Sequence, residues 1–267
     1  MNTEYMMLME KRRAKFVKSN RSIVRSMLRQ YSAKLIADIR KAGDTSQIIA
    51  LGERELKDDY VRECMEKVYG NTVPYFSKQT AKALQGKKRE AIEVDAWEEY
   101  IKSFVRSRLG DRIYRLNLFT QNLFQAVTKD AVMQGISNGW GINKIADQIQ
   151  RELNIVETYR AERIARTETI SASNEGSIHG ARGTGLSLKK EWISYIDDRT
   201  RETHREMNGK TVGMDESFSM PTDDGDRDEL DYPGDPNGSA ENVINCRCTI
   251  GYVPADEVAW GRDIQED

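Results

Sequence analysis

Val24, Met27, Leu28, Tyr31, Leu35 and Ile39 recur at steps of three and four. That spacing puts them on one stripe of a long helix spanning residues 3–42. The stripe is wider than a lone helix leaves in water, so it predicts a partner or a fold-back. Gly43 ends the helix, and Asp44-Thr45-Ser46 offers caps for a second. In that second helix Leu56, Tyr60, Cys64 and Val68 recur every four residues. Gly70-Asn71 is expected to stop it. A third, short helix is expected from Val73 to about Gly86-Lys87-Lys88.

Residues 93–137 carry the strongest helical pattern. Val94, Trp97, Ile101, Val105 and Leu109 lead up to Gly110, and Leu116, Phe119, Leu123, Phe124, Val127 and Ala131 follow it. The expectation is two helices, or one with a kink near Gly110-Asp111. Gly135, Gly139 and Gly141 mark a turn. A short helix then runs over 143–153 through Ile145, Ile149 and Leu153. Another covers 158–182 with Ile164, Ala165, Ile170 and Ala172. After Gly183-Thr184-Gly185 the pattern changes. Lys189–Ile196 is rich in aromatic and branched residues and predicts a strand. Residues 215–241 are rich in Asp, Gly and Pro, which predicts a long loop. Val243–Ile250 alternates and predicts a second strand.

The fold class read from this order is α+β. A helical N-terminal region covers 1–115, a small mixed domain with a short sheet covers 116–255, and an acidic tail covers 256–267. Of the 267 residues 38% are hydrophobic and 31% charged, a surface-rich composition. No apolar run approaches the roughly 20 residues that cross a bilayer, and the first residues lack the apolar core of a secretory signal. The expectation is a protein made and kept in a cytoplasm, with no membrane partner. Three cysteines, Cys64, Cys246 and Cys248, are not a disulfide framework. Charge is divided unevenly. Residues 1–214 hold 38 Lys/Arg against 28 Asp/Glu, and residues 215–267 hold 3 against 15. Two surfaces with different partners are the natural reading.

Several groups carry candidate chemistry. Lys11, Arg12, Arg13, Lys15, Lys18, Arg21 and Arg25, with Arg29 beyond them, decorate the first helix. Such a cluster can meet double-stranded DNA through its phosphates, face an acidic protein, or only solubilise the helix. Arg166, Glu168, Asp198, Arg199, Arg201 and His204 read as a structural polar cluster that pins a helix to the sheet, because guanidinium groups match carboxylates. His204, Cys246 and Cys248 are zinc-competent, which makes a structural zinc the alternative to no cofactor. His179 supplies a fourth ligand only if its helix folds back. In the plainer account both cysteines point into the core and Arg247 points outward or to Asp198. His204 and Glu168 form an acid–base pair only if they meet in a cleft, and no nucleophile elbow or phosphate loop accompanies them. Asp223, Asp224, Asp226, Asp228, Glu229 and Asp231 resemble part of a calcium loop, with glycine and distal glutamate out of place. A solvated acidic loop is the simpler reading.

Ala165-Arg166-Thr167-Glu168-Thr169, Trp192, Asp198–His204, Gly209, Phe218 and Asn245-Cys246-Arg247-Cys248 occur in an order and spacing that resemble the phage Mu F-like minor head proteins, a head-morphogenesis family. The resemblance covers roughly residues 120–253 and rests on several blocks together. It implies a low-copy virion protein of a tailed bacteriophage, at the head interior or portal vertex and in host cytoplasm during assembly. Its implied partners are the portal protein and major capsid or scaffold protein. It supplies no catalytic residues. Some members carry Cys-x-x-Cys where this chain has Arg201 and His204, and the loss of a cysteine weakens the zinc reading. Two alternatives stand beside it: a metal-dependent enzyme acting on nucleic acid, and a cargo protein ejected with the genome.

Overall fold

The computed structural model describes residues 2–54, 58–85 and 94–255. Helices α1 (Asn2–Ile39), α2 (Thr45–Gly52), α3 (Asp58–Gln85), α4 (Val94–Arg108), α5 (Gly110–Ser137) and α6 (Ile142–Arg182) come first. Then follow β1 (Leu188–Ile193), α7 (Glu202–Met207), β2 (Thr211–Gly213), β3 (Phe218–Pro221), β4 (Arg227–Leu230), α8 (Ala240–Val243) and β5 (Thr249–Pro254). The fold is α+β. Leu56, the expected helix end at Gly86-Lys87-Lys88, the side chain of Val94 and the tail 256–267 lie outside the described residues.

The stripe on α1 is covered by fold-back. Val24, Met27, Leu28, Tyr31, Ile36 and Ile39 enter one core with Val61, Met65, Val68 and Tyr69 of α3 and Ile145, Ile149, Leu153 and Ile164 of α6. Asp44 caps α2 by accepting from the Gln47 amide at 2.9 Å. Of the two expected forms the chain takes two helices, with the break at Leu109, next to the expected Gly110-Asp111, and with Leu109 buried in the core.

Two expected helix boundaries do not form. Gly70-Asn71 does not end a helix, because α3 runs through it and through Pro74. Asn71 instead donates to Asn20 at 2.9 Å, and Asn20 donates to Thr72 at 3.0 Å and Thr169 at 2.9 Å. Gly70 is exposed, so the carbonyl that Pro74 leaves without a donor has access to water. Likewise the helices expected over 143–153 and 158–182 are one 41-residue helix, α6. Its apolar pattern lapses around Ile155 and Tyr159, which are exposed, not because the backbone turns.

α6 is the spine of the molecule. Its body packs along α3 and α1, and its residue Ile178 reaches a second core with Trp192, Met207, Phe218, Met220, Leu230, Tyr232, Cys246, Cys248 and Ile250. The expected division at 115/116 falls inside α5. Two glycines set how closely α3 approaches. A Cβ at Gly176 would sit 2.5 Å from the Val73 carbonyl oxygen, and one at Gly180 would sit 2.3 Å from that of Ser77.

β1 is central in an antiparallel sheet of order β2-β1-β5, with Trp192 opposite Ile250. The span 215–241, expected as a long loop, contains the hairpin β3–β4, with Phe218 opposite Leu230. Its few apolar residues are enough because Phe218, Met220, Leu230 and Tyr232 all enter the second core. The strand expected over 243–250 is displaced to Thr249–Pro254. Asn245 takes a left-handed φ of 54°, which breaks the extended run before the cysteines.

Gly180→Ala is expected to lower stability by about 1–3 kcal/mol or more through overpacking against backbone. Gly70→Ala, with nothing near its Cβ position, is expected to raise it by about 0.5–1 kcal/mol. Urea melts of the two variants check both signs.

Candidate functional site

Buried polar side chains concentrate where α1, α3, α5 and the C-terminal unit meet α6. Glu168, fully buried, takes its counter-ion from α5: Arg112 Nε and Nη2 donate to Oε1 at 2.9 and 2.8 Å. Burial pulls Arg112 down, but the carboxylate outweighs it and the guanidinium pKa ends above its usual value. Tyr69 donates to Glu168 at 3.3 Å and to Ser171 at 2.8 Å. Burial first, and the Glu168 charge second, push its hydroxyl pKa well up.

The six residues expected to form one polar cluster therefore do not. Arg166 is exposed and pairs along its own helix with Glu162 at 2.9 Å. Arg199, 75% exposed, lies 3.6 Å from Asp197. Arg201 donates to the Ile244 carbonyl at 2.7 Å. The partner of Arg247 is Asp197 and not Asp198. Both guanidinium nitrogens bond its carboxylate, one at 2.7 Å, and the guanidinium lies over the Tyr195 ring. Those bonds hold the Asp197 carboxyl well below the usual carboxylate range. Glu168 and His204 lie in separate networks, so the acid–base pairing has no geometry behind it. The reason is local: residues 197–201 form a surface turn with Asp198 and Arg199 exposed, while Glu168 faces inward from α6.

Arg13, expected among the DNA-facing cations, is buried instead. It donates to Ser173 at 2.7 Å, to Asn174 at 2.7 Å, to Thr249 at 3.0 Å and to the Cys248 carbonyl at 3.1 Å. Burial lowers its pKa to about 10. One side chain thus ties α1 to α6 and β5. Lys11, Lys15, Lys18 and Arg21 stay exposed, with Arg12 and Arg25 half-buried. Arg21 pairs with Glu162 at 3.1 Å.

His204, Cys246 and Cys248 do converge. All three are buried, and their donor atoms lie within 4.8 Å of one another. His204 Nδ1 is 3.2 Å from Cys248 Sγ and 3.7 Å from Cys246 Sγ. The hydrogen bond from Cys246 drives the Cys248 thiol down, helped by His204, while Cys246 is driven up. The Cys248 thiol lies 3.6 Å from Ser194 Oγ, and Trp192 meets the His204 ring edge to face. His179 is not part of this centre. It lies 3.3 Å from Ser77 Oγ and packs on Trp97 and Tyr100.

A groove of about 730 Å³ opens beside this centre between α1, α6 and the 199–201 and 245–247 segments. Lys18, Arg21, Arg166, Arg199, Arg201 and Arg247 line it, with Glu10 and Glu162. The later members of the acidic run are engaged within the fold. Asp228 accepts from Ser239 and Asn242 at 2.6–3.1 Å, Glu229 accepts from Ser219, and Asp231 pairs with Arg108 at 2.7 Å. Sequence reasoning missed Arg112, Asp197 and Glu175, each fixed by a partner far along the chain. Glu175 accepts from Tyr100, and burial raises its pKa.

Residues 126–251 match the family described as phage Mu protein F like protein. The chain is 32% identical over 159 residues to NAD(+)--arginine ADP-ribosyltransferase EFV of Enterococcus faecalis, covering 57% of this chain and 30% of that protein. It is 28% identical over 130 residues to minor head protein GP7 of Bacillus phage SPP1, covering 48% of this chain and 40% of that protein. It is 23% identical over 199 residues to protein YqbB of Bacillus subtilis, covering 74% of this chain and 62% of that protein. The chain thus spans less than two thirds of each of these relatives. No solved structure matches it significantly.

Arg112→Met should cost about 3–5 kcal/mol by leaving Glu168 buried and unpaired, and Arg112→Met/Glu168→Met should recover much of that loss. Arg199→Ala should change stability by no more than about 0.5 kcal/mol. Glu175 carries the opposite pH sign to a paired carboxylate. Its contribution is full below the ordinary glutamate value of 4.5 and falls as pH rises through the raised folded value. Glu175→Gln should therefore flatten the decline in stability from pH 4.5 upward, read from denaturant midpoints across that range. A slope equal to the parent's would count against the assignment.

Proposed function

We propose, from the premise that residues 126–251 belong to the phage Mu protein F like family, that this chain is a minor head protein of a tailed bacteriophage. The family match carries the reading, because it takes in Glu168, Trp192, His204, Cys246 and Cys248 together. The identity to a minor head protein of phage SPP1 supports it. In this reading the chain joins the head in low copy during assembly in host cytoplasm and resides in the virion. Its partners there are the portal protein and the major capsid or scaffold protein. The transferase name belongs to a relative of which this chain covers 30%, and no arrangement described above favours that activity here.

Two surface features support a role in docking. Tyr114, Phe119, Met133 and Ile136 on α5 and Ile155 and Tyr159 on α6 are exposed although large and apolar. Cations along α1 offer sequence-independent contacts to the genome. Lys11, Arg12, Lys15, Lys18, Arg21 and Arg25 are the candidates for that contact, and burial removes Arg13 from them.

Co-expression with portal and major capsid proteins should place the chain in purified procapsids. Procapsids that form normally and exclude it would refute the proposal. For the genome contact, affinity for duplex DNA should fall steeply with salt. Lys11→Glu/Lys15→Glu/Lys18→Glu should reduce the log–log salt slope by about three. An affinity insensitive to salt would end the DNA reading and leave the head assignment standing.

A further inference from the structure

The geometry points to a zinc site built from His204 Nδ1, Cys246 Sγ and Cys248 Sγ. Zinc bonds thiolate sulfur at about 2.3 Å and imidazole nitrogen at about 2.0 Å, and tetrahedral angles then put nitrogen and sulfur roughly 3.5 Å apart. Here Nδ1 stands 3.2 and 3.7 Å from the two sulfurs. The two distances bracket that value, and all three donor atoms lie within 4.8 Å of one another.

Hydrogen bonding alone satisfies this ring poorly. His204 is 2% exposed, so water does not satisfy it. The contacts at Nδ1 are to sulfur, a weak hydrogen-bond acceptor and a strong ligand of soft cations. A shared cation turns the weakest polar contacts in the second core into its strongest.

The surroundings suit bound thiolates. The Arg13 guanidinium is fixed on the Cys248 backbone and otherwise bonds neutral oxygens, and two thiolates on one Zn²⁺ make a centre with no net charge to repel it. The Cys246 sulfur already accepts from the Cys248 amide at 3.4 Å, the kind of outer contact that holds a sulfur ligand in place. Ser194 Oγ, 3.6 Å from Cys248 Sγ, or a water beside it, is placed to complete four-coordination. Binding releases the two thiol protons, and no electron moves. The ion joins α7 to the segment leading into β5, closing the excursion that contains the β3–β4 hairpin. Its role is to hold the C-terminal unit shut.

The full chain, purified without metal-chelating steps, is expected to carry about one zinc per molecule by elemental analysis. Cobalt(II) added to the chelated chain should give thiolate-to-metal absorption in the near ultraviolet and intense tetrahedral bands in the visible, both abolished by one equivalent of zinc. Chelation should lower the melting midpoint. His204→Gln should weaken cobalt affinity by more than the roughly 10–100-fold typical of outer-contact losses, and Cys64→Ser should leave it unchanged. Cobalt titration of the parent chain does not depend on how the variants fold. If that chain, folded by circular dichroism and with its thiols reduced, gives no thiolate–cobalt band, the site is refuted. The head assignment is tested separately by procapsid incorporation.

Discussion

The approach of α3 to α6 at Gly176 and Gly180 is the constraint on which the other contacts depend. The carbonyls of Val73 and Ser77 occupy the space where side chains would stand. At this distance Tyr69 reaches Glu168 and Ser171, and Thr80 reaches Ser177. A wider separation would leave these buried groups without partners, each at a cost comparable to a lost hydrogen bond or more. The small residues of α6 therefore set the positions of polar residues on α3.

On the same spine, buried guanidinium groups tie neighbouring elements to α6. Arg112 crosses from α5 to Glu168, and Arg13 crosses from α1 to α6 and β5. Neither crossing is a surface ion pair, where solvent and salt would erode it. Removing one member strands a buried charge or several acceptors, so the elements are held in one arrangement. Such an interior keeps the outer faces of α1, α5 and α6 in fixed relation, and a preorganised surface loses less entropy when it binds.

Much of the fold was legible. The helical stripe of α1, the break at Leu109-Gly110 and the strand around Trp192 follow from periodicity and turn chemistry. Gly70-Asn71 and the interval near Ile155 misled, for opposite reasons. At Gly70-Asn71 a strong local stop signal is overridden by tertiary hydrogen bonds through Asn20. Near Ile155 an exposed turn interrupts the apolar pattern inside a continuous helix. The β3–β4 hairpin was hidden by composition, since four well-placed apolar residues are enough to anchor it.

Residue types and order determined by themselves the α+β class, the resemblance of the C-terminal region to the phage Mu protein F like family, and the candidate ligand chemistry of His204, Cys246 and Cys248. Only the tertiary structure decided which charges meet. Glu168 pairs with Arg112, 56 residues away, and Arg247 with Asp197, 50 away. It also decided that Arg13 is interior while its neighbours on α1 face solvent. Helical periodicity tells which residues share a face but not what that face will touch, and a charge is stabilised by the partner that happens to be within a few ångströms.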